Sequence, residues 1–127
     1  MKLPDFLGFL AGLAYFAGSV VCHQLPDRSF VTADIQWPVC ARCAGIYLGV
    51  TAGFVAWWIL RRLIGRRPGG RAWLTMVAVV AAPTAVSWVS GLLGVWDGTN
   101  GIRFALAVPL GLVVGMVAAS VFAKDLR

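Results

Sequence analysis

Residues 73–96, WLTMVAVVAAPTAVSWVSGLLGVW, decide the fold: the stretch carries no charged side chain. At about 1.5 Å of rise per residue, a helix of that length crosses the roughly 30 Å of hydrocarbon in a bilayer. Outward from it, apolar runs recur at about residues 5–22, 44–60 and 102–123. Backbone groups in lipid must find hydrogen bonds within their own segment, so each run is expected as a helix rather than a strand. Composition agrees. Of the 127 residues 60% are hydrophobic and 13% charged, and the mean hydropathy is +0.83, which leaves too little charge to coat a soluble domain of this size. The expected fold is all-α, an integral membrane four-helix bundle forming one transmembrane domain over residues 1–127.

Charge sets the expected orientation. The net charge is +6, and five of the eleven basic residues crowd into RRLIGRRPGGR between the second and third runs: Arg61, Arg62, Arg66, Arg67 and Arg71. Lys2, Lys124 and Arg127 lie at the ends. The positive-inside rule places all of these in the cytoplasm, giving N-in/C-in topology, with residues 23–39 and 97–101 extracytoplasmic. The Arg loop is expected to fix orientation and touch anionic lipid, with no nucleic acid as partner. Ala17-Gly18-Ser19 loosely fits a signal-peptidase site, but Lys2 is offset by Asp5 and Val21 precedes Cys22, so neither signal cleavage nor lipoprotein processing is expected. Small residues recur every fourth position at Gly8 and Gly12, at Gly45, Gly49 and Gly53, and at Gly111, Gly115 and Ala119, predicting close helix packing within the bundle. Pro83 and Pro109 are expected to kink their helices. Trp37, Trp73 and Trp96 are expected in the interfacial belt.

The polar chemistry gathers on the outer face, in Cys22-His23-Gln24, Arg28-Ser29-Phe30, Cys40-Ala41-Arg42-Cys43-Ala44-Gly45-Ile46-Tyr47-Leu48-Gly49, and Asp97, Gly98, Asn100 and Arg103. In these motifs the chain resembles the DUF2085 family of bacterial and archaeal membrane proteins, whose signature runs CHQ, RSF, CxRCxGIYxG. The resemblance covers the first half well and implies a membrane location, here the prokaryotic inner or plasma membrane, and a shared cysteine-histidine signature. It carries no activity with it.

Cys22, His23, Cys40 and Cys43 are all the cysteines and the one histidine, a Cys3His set matching a closed tetrahedral zinc site, with Cys40 and Cys43 at chelating spacing. Adjacent residues diverge by about 100° on a helix, so Cys22 and His23 can converge only where the first helix has ended. Without His23 a position stays open for water or substrate. Zinc is the expected cofactor, and thiolates also suit Cu(I). A rival reading is a thiol-disulfide oxidoreductase using Cys40 and Cys43 at a helix start, where the helix N-terminus and Arg42 lower a thiol pKa. That arrangement looks like the quinone-linked disulfide-generating membrane enzymes, whose usual second cysteine pair is lacking. A third is one inert disulfide and a spare thiol.

Arg28, Arg42 and Arg103 lie outside against the charge rule and make an anion site, for a lipid phosphate, a phosphorylated polyprenyl carrier or a carboxylate. Equally, Arg28 can pair with Asp27 or Asp34 and Arg103 with Asp97. Gln24, Tyr47, Asp97 and Asn100 are supporting candidates: Asn100 as a helix N-cap, Asp97-Gly98 as a turn, and Tyr47 on the same helix face as the cysteines. The paired carboxylates or Ser-His-Asp set of a familiar hydrolase are lacking. The function classes left are a metal- or thiol-dependent membrane enzyme and a non-enzymatic accessory subunit of a membrane complex.

Overall fold

The apolar runs fold as helices in the computed structural model, which describes residues 3–65 and 68–123. Helix α1 spans Leu3–Val21, α2 Ala41–Leu63, α3 Gly70–Leu92 and α4 Asn100–Phe122, and all four are long and apolar enough to cross a membrane. Of the basic residues that set the expected orientation, Lys2, Arg66, Arg67, Lys124 and Arg127 lie outside the described residues.

Close packing runs along one seam, between α2 and α4. A Cβ added to Gly45 would lie 2.7 Å from the Phe104 carbonyl oxygen, one on Gly49 2.8 Å from the Leu112 nitrogen, and one on Gly111 2.9 Å from the Ile46 Cα. The neighbours are backbone atoms, which cannot rotate away, so glycine is what lets these helices touch. α4 also packs on α3. There Trp57, Trp73, Val113 and Ala119 make a buried cluster, the two indoles edge to face at 5.4 Å. Trp73, 4% exposed, is therefore a core residue and not the belt residue expected; Trp37 and Trp96 do stay exposed. Among the described residues the Gly8 and Gly12 ladder serves no packing, because nothing lies within 4 Å of a Cβ at either position. Helix α1 leans instead on the outer loop.

That loop is ordered. After a 3-10 turn (Pro26–Arg28), β1 (Ser29–Thr32) and β2 (Ile35–Cys40) form an antiparallel hairpin, a small sheet added to an otherwise helical chain. Its two-residue turn, Ala33-Asp34, has φ of +52° and +61°, the doubly left-handed geometry that matches strand twist. Thr32 pairs with Ile35 and Val31 with Gln36; the register then breaks, so that Ser29 faces Cys40. The break falls at Pro38, which has no N–H for the ladder.

Helix ends differ from the expected runs where capping intervenes. α3 stops at Leu92, short of residue 96, because Gly94 takes φ +69°. With it the Val95 N–H donates to the Ser90 carbonyl at 3.1 Å and the Gly94 N–H to Gly91 at 3.4 Å, a Schellman closure. α4 is capped by Thr99, whose hydroxyl accepts from the Ile102 N–H at 3.3 Å. Asn100, expected as the cap, is the first helical residue and is free to bridge other elements.

Candidate metal centre

Three local features bring the cysteines together. Gly18 lets β2 approach α1, since a Cβ there would run into the Pro38 carbonyl and lie 2.7 Å from Nε2 of Gln24. Gln24, at φ +47°, turns the chain back; its Nε2 donates to the carbonyls of Tyr15 at 2.8 Å and Pro38 at 2.7 Å. Its own carbonyl accepts from Gln36 Nε2 at 2.8 Å, and the Tyr15 hydroxyl donates to the Gln36 carbonyl. The buckle fastens the end of α1 to β2, which runs straight into α2.

Cys22 is the first residue beyond α1, Cys40 the residue before α2, and Cys43 lies in the first turn of α2. Their sulfurs all lie within 4.8 Å of one another, and all three thiols are free. A tetrahedral ion with metal–sulfur bonds of about 2.3 Å holds its sulfurs roughly 3.8 Å apart, so modest rotamer changes close the set. The Cys40 backbone N–H donates to the Cys22 sulfur at 3.2 Å. Burial of Cys22 raises its thiol pKa, but hydrogen bonds from the Gln24 and Cys40 backbones, with the Cys40 and Cys43 side chains, outweigh it and leave the thiol below its ordinary value. The N-terminus of α2 favours thiolate in the same direction.

His23 is exposed and is not in the three-sulfur group. It lines, with Gln24, Arg28 and Arg42, a cavity of about 590 Å³ into which the three cysteines also face. Val21, Leu25, Ile46, Trp88 and Leu92 supply the apolar wall. Tyr47 does not line the cavity; it is 47% exposed, and Ile46, one residue earlier on the helix, takes that place.

The arginines divide. Arg103, 5% exposed, is a buried strut: Nη2 meets Asp97 Oδ1 at 2.7 Å and donates to the Asp97 carbonyl, and Nη1 donates to Asn100 Oδ1 at 2.8 Å. Its Nε is buried without a partner. Asn100 Nδ2 in turn donates to the Ser29 carbonyl at 3.1 Å, tying α4 to the hairpin. Arg28 pairs with Asp97 at 3.2 Å, not with Asp27 or Asp34, because the 3-10 turn carries it toward the start of α4. Asp97 is the shared anion. Burial opposes its charge, but the hydrogen bond and charge of Arg103, then Arg28 and Arg42, hold its carboxyl below the usual range. Arg42 reaches across to α3, where Nη2 donates to the Ser87 hydroxyl at 3.0 Å and carbonyl at 3.1 Å. Ser87, 3% exposed, is the site residue that the sequence reading missed. Its signal was diffuse: α3 carries four hydroxyls, Thr75, Thr84, Ser87 and Ser90, and each needs an internal partner in an apolar span.

Comparison with known proteins identifies a family of predicted membrane proteins. Residues 22–117 match the family described as "Predicted membrane protein (DUF2085)". An uncharacterized protein of Methanocaldococcus jannaschii is 30% identical over 121 residues, covering 95% of this chain and 76% of the relative. An uncharacterized protein of Methanothermobacter thermautotrophicus is 29% identical over 92 residues, 72% of this chain and 78% of the relative. No solved structure matches.

Proposed function

The chain belongs to the DUF2085 family of predicted membrane proteins, and from that premise we propose a multi-pass protein of the prokaryotic cell membrane that binds one thiophilic metal ion through Cys22, Cys40 and Cys43 on its extracytoplasmic face, beside an arginine-lined face that receives an anion. The observation that carries it is the convergence of three sulfurs, from the end of α1, the end of β2 and the first turn of α2, within 4.8 Å of one another. Zinc is the metal of choice and Cu(I) the alternative. His23, in the same cavity wall, supplies the fourth ligand by a small loop movement; otherwise that position takes water or a bound molecule. The ion clamps α1 and the hairpin to α2, a joint with little apolar core of its own. Charge suits the clamp: three thiolates with a divalent ion leave one negative charge, in a cavity whose wall also holds Arg28 and Arg42. The orientation rests on the Arg loop.

The test is elemental analysis of protein purified in detergent, paired with thiol titration after denaturation. About one zinc per chain with all three thiols reduced, the zinc being lost in Cys22→Ser, is the expected result. No metal together with a disulfide would refute it and favour the second reading, a thiol-disulfide oxidoreductase, which the position of Cys40 as the N-cap of α2 supports. The exposed apolar face of α1 supports a third role, as an accessory subunit docked in a membrane complex.

A further inference from the structure

We propose that the cavity beside the cysteines binds a single-chain phosphate monoester, its head held by Arg28 and Arg42 and its chain lying along Trp88 and Leu92. This deepens the anion half of the function proposed above and does not depend on the metal half.

The head site is built from two guanidinium groups with donors to spare. Both hydrogen bonds of Arg42 leave from Nη2, so Nη1 and Nε remain for a ligand while Ser87 holds the side chain still. Arg28 has one contact, to Asp97 at 3.2 Å, on a side chain 33% exposed. Arg103 keeps Asp97 occupied through a shorter contact at 2.7 Å, so Arg28 can transfer to a bound anion without orphaning the carboxylate. Planar guanidinium forks suit the several oxygens of a phosphate better than a single point charge does.

Size and lining indicate more than a head group. The cavity holds about 590 Å³, in the range that encloses whole small-molecule ligands. A bare oxyanion, a few water volumes of about 30 Å³ each, fills a small part of it. Beyond the cysteines, His23 and Gln24 the wall is apolar, formed by Val21, Leu25, Ile46, Trp88 and Leu92, and Trp88 and Leu92 on α3 are more than half exposed. That side lies between α3 and the end of α1, two helices that scarcely touch, so an acyl or prenyl chain has a route from the head site toward the bilayer. A monoester places one chain there; a diester brings a second substituent onto the oxygens that the arginines need.

Binding is measured with the full chain in neutral phosphatidylcholine nanodiscs, against empty discs, using dodecyl phosphate, inorganic phosphate and dodecanol as probes. Metal content is recorded on every sample. Saturable binding of one dodecyl phosphate per chain, at least about tenfold tighter than inorganic phosphate, is expected. Arg28→Gln and Arg42→Gln should each weaken dodecyl phosphate about tenfold. Trp88→Ala should weaken dodecyl phosphate and leave inorganic phosphate unchanged, and Arg62→Gln, in the last turn of α2 at its far end, should change nothing. Helicity by circular dichroism and the variants Arg28→Lys and Arg42→Lys separate lost charge from lost fold. Equal affinity for the two phosphates would make this a free-anion site and overturn the amphiphile. Binding of neither, or binding that ignores both glutamine variants, would overturn the anion site itself, whatever the metal content.

Discussion

Gly18→Ala should disrupt the three-cysteine cluster, and with it the proposed metal binding, from a distance, because Gly18 sets how closely α1 meets β2. An ordinary carbon contact to a polar atom is about 3.3–3.6 Å, whereas the new Cβ would lie 2.7 Å from Gln24 Nε2 and still deeper against the Pro38 carbonyl. One of these neighbours is backbone, so relief requires α1 and β2 to separate by roughly 1 Å. Overpacking of this kind costs about 1–3 kcal/mol. Losing the two Gln24 hydrogen bonds adds about 1 kcal/mol each. Better helix propensity returns about 1 kcal/mol, leaving a net loss of about 2–4 kcal/mol. Cys22 is hydrogen-bonded through its N–H to the Gly18 carbonyl at 2.8 Å and moves with the helix, so zinc affinity should fall at least about tenfold. Competition with a chromogenic zinc chelator measures the affinity, and unfolding in mixed micelles measures the stability. Gly12→Ala is the control: nothing lies within 4 Å of its Cβ, and the same propensity gain should leave it neutral or more stable by up to about 1 kcal/mol. Equal behaviour of the two variants in both assays would refute the idea that the α1–β2 joint positions Cys22.

Ser87→Ala removes the hydroxyl that holds Arg42 at 3.0 Å; a loss of about 1.5–3 kcal/mol in mixed-micelle unfolding is expected for a hydrogen bond to a charged group, with Thr as the rescuing residue. Asp97 has a carboxyl held below its usual range by Arg103 and its neighbours. A lowered folded pKa gives stability that is present above the unfolded value of about 3.9 and is lost as pH falls through the folded one. Thermal unfolding should therefore show an acid-side loss below about pH 4 that Asp97→Asn abolishes; an unchanged profile in that variant would assign the acid limb elsewhere. Orientation is read by alkaline phosphatase fusions: a fusion after Gly98 should be active and one after Gly65 inactive, and the reverse pattern would place the cysteines in the cytosol.

The spans were legible because length and apolarity in lipid leave one backbone solution, and the error over the end of α3 was avoidable, since Gly94 marked a left-handed stop inside the run. The hairpin was not legible. Its turn, Ala33-Asp34, lacks the Asn-Gly or Asp-Gly pattern that announces doubly left-handed geometry, and β2 contains Pro38, which argues against a strand. The three cysteines could be grouped from residue type and spacing, but whether His23 joins them depends on where α1 ends and which way the left-handed Gln24 sends the chain. Trp73 was misplaced for a similar reason: an aromatic near a helix end suits either an interface or a core, and the indole of Trp57 decides it. The partner of Arg28 lay 69 positions away, beyond any local pattern, so the nearer Asp27 and Asp34 looked equally good.

The two halves of the site share one frame. Asp97 and Asn100 hold the Arg103 guanidinium from either side, and Asn100 also grips the Ser29 carbonyl. Ser29 is the ladder partner of Cys40, and the Cys40 N–H holds the Cys22 sulfur. A buried guanidinium is strongly unfavourable unless its donors are met, so the start of α4 is constrained to keep Asp97 and Asn100 where they are, and the hairpin follows Asn100. The Cys40 and Cys22 positions are thus tied through the hairpin to an arginine on α4 as well as to the α1–β2 joint. The three arginines of this face divide the work: Arg103 builds the frame, Arg42 fastens it to α3, and Arg28, singly bonded and partly exposed, can exchange its partner for a ligand.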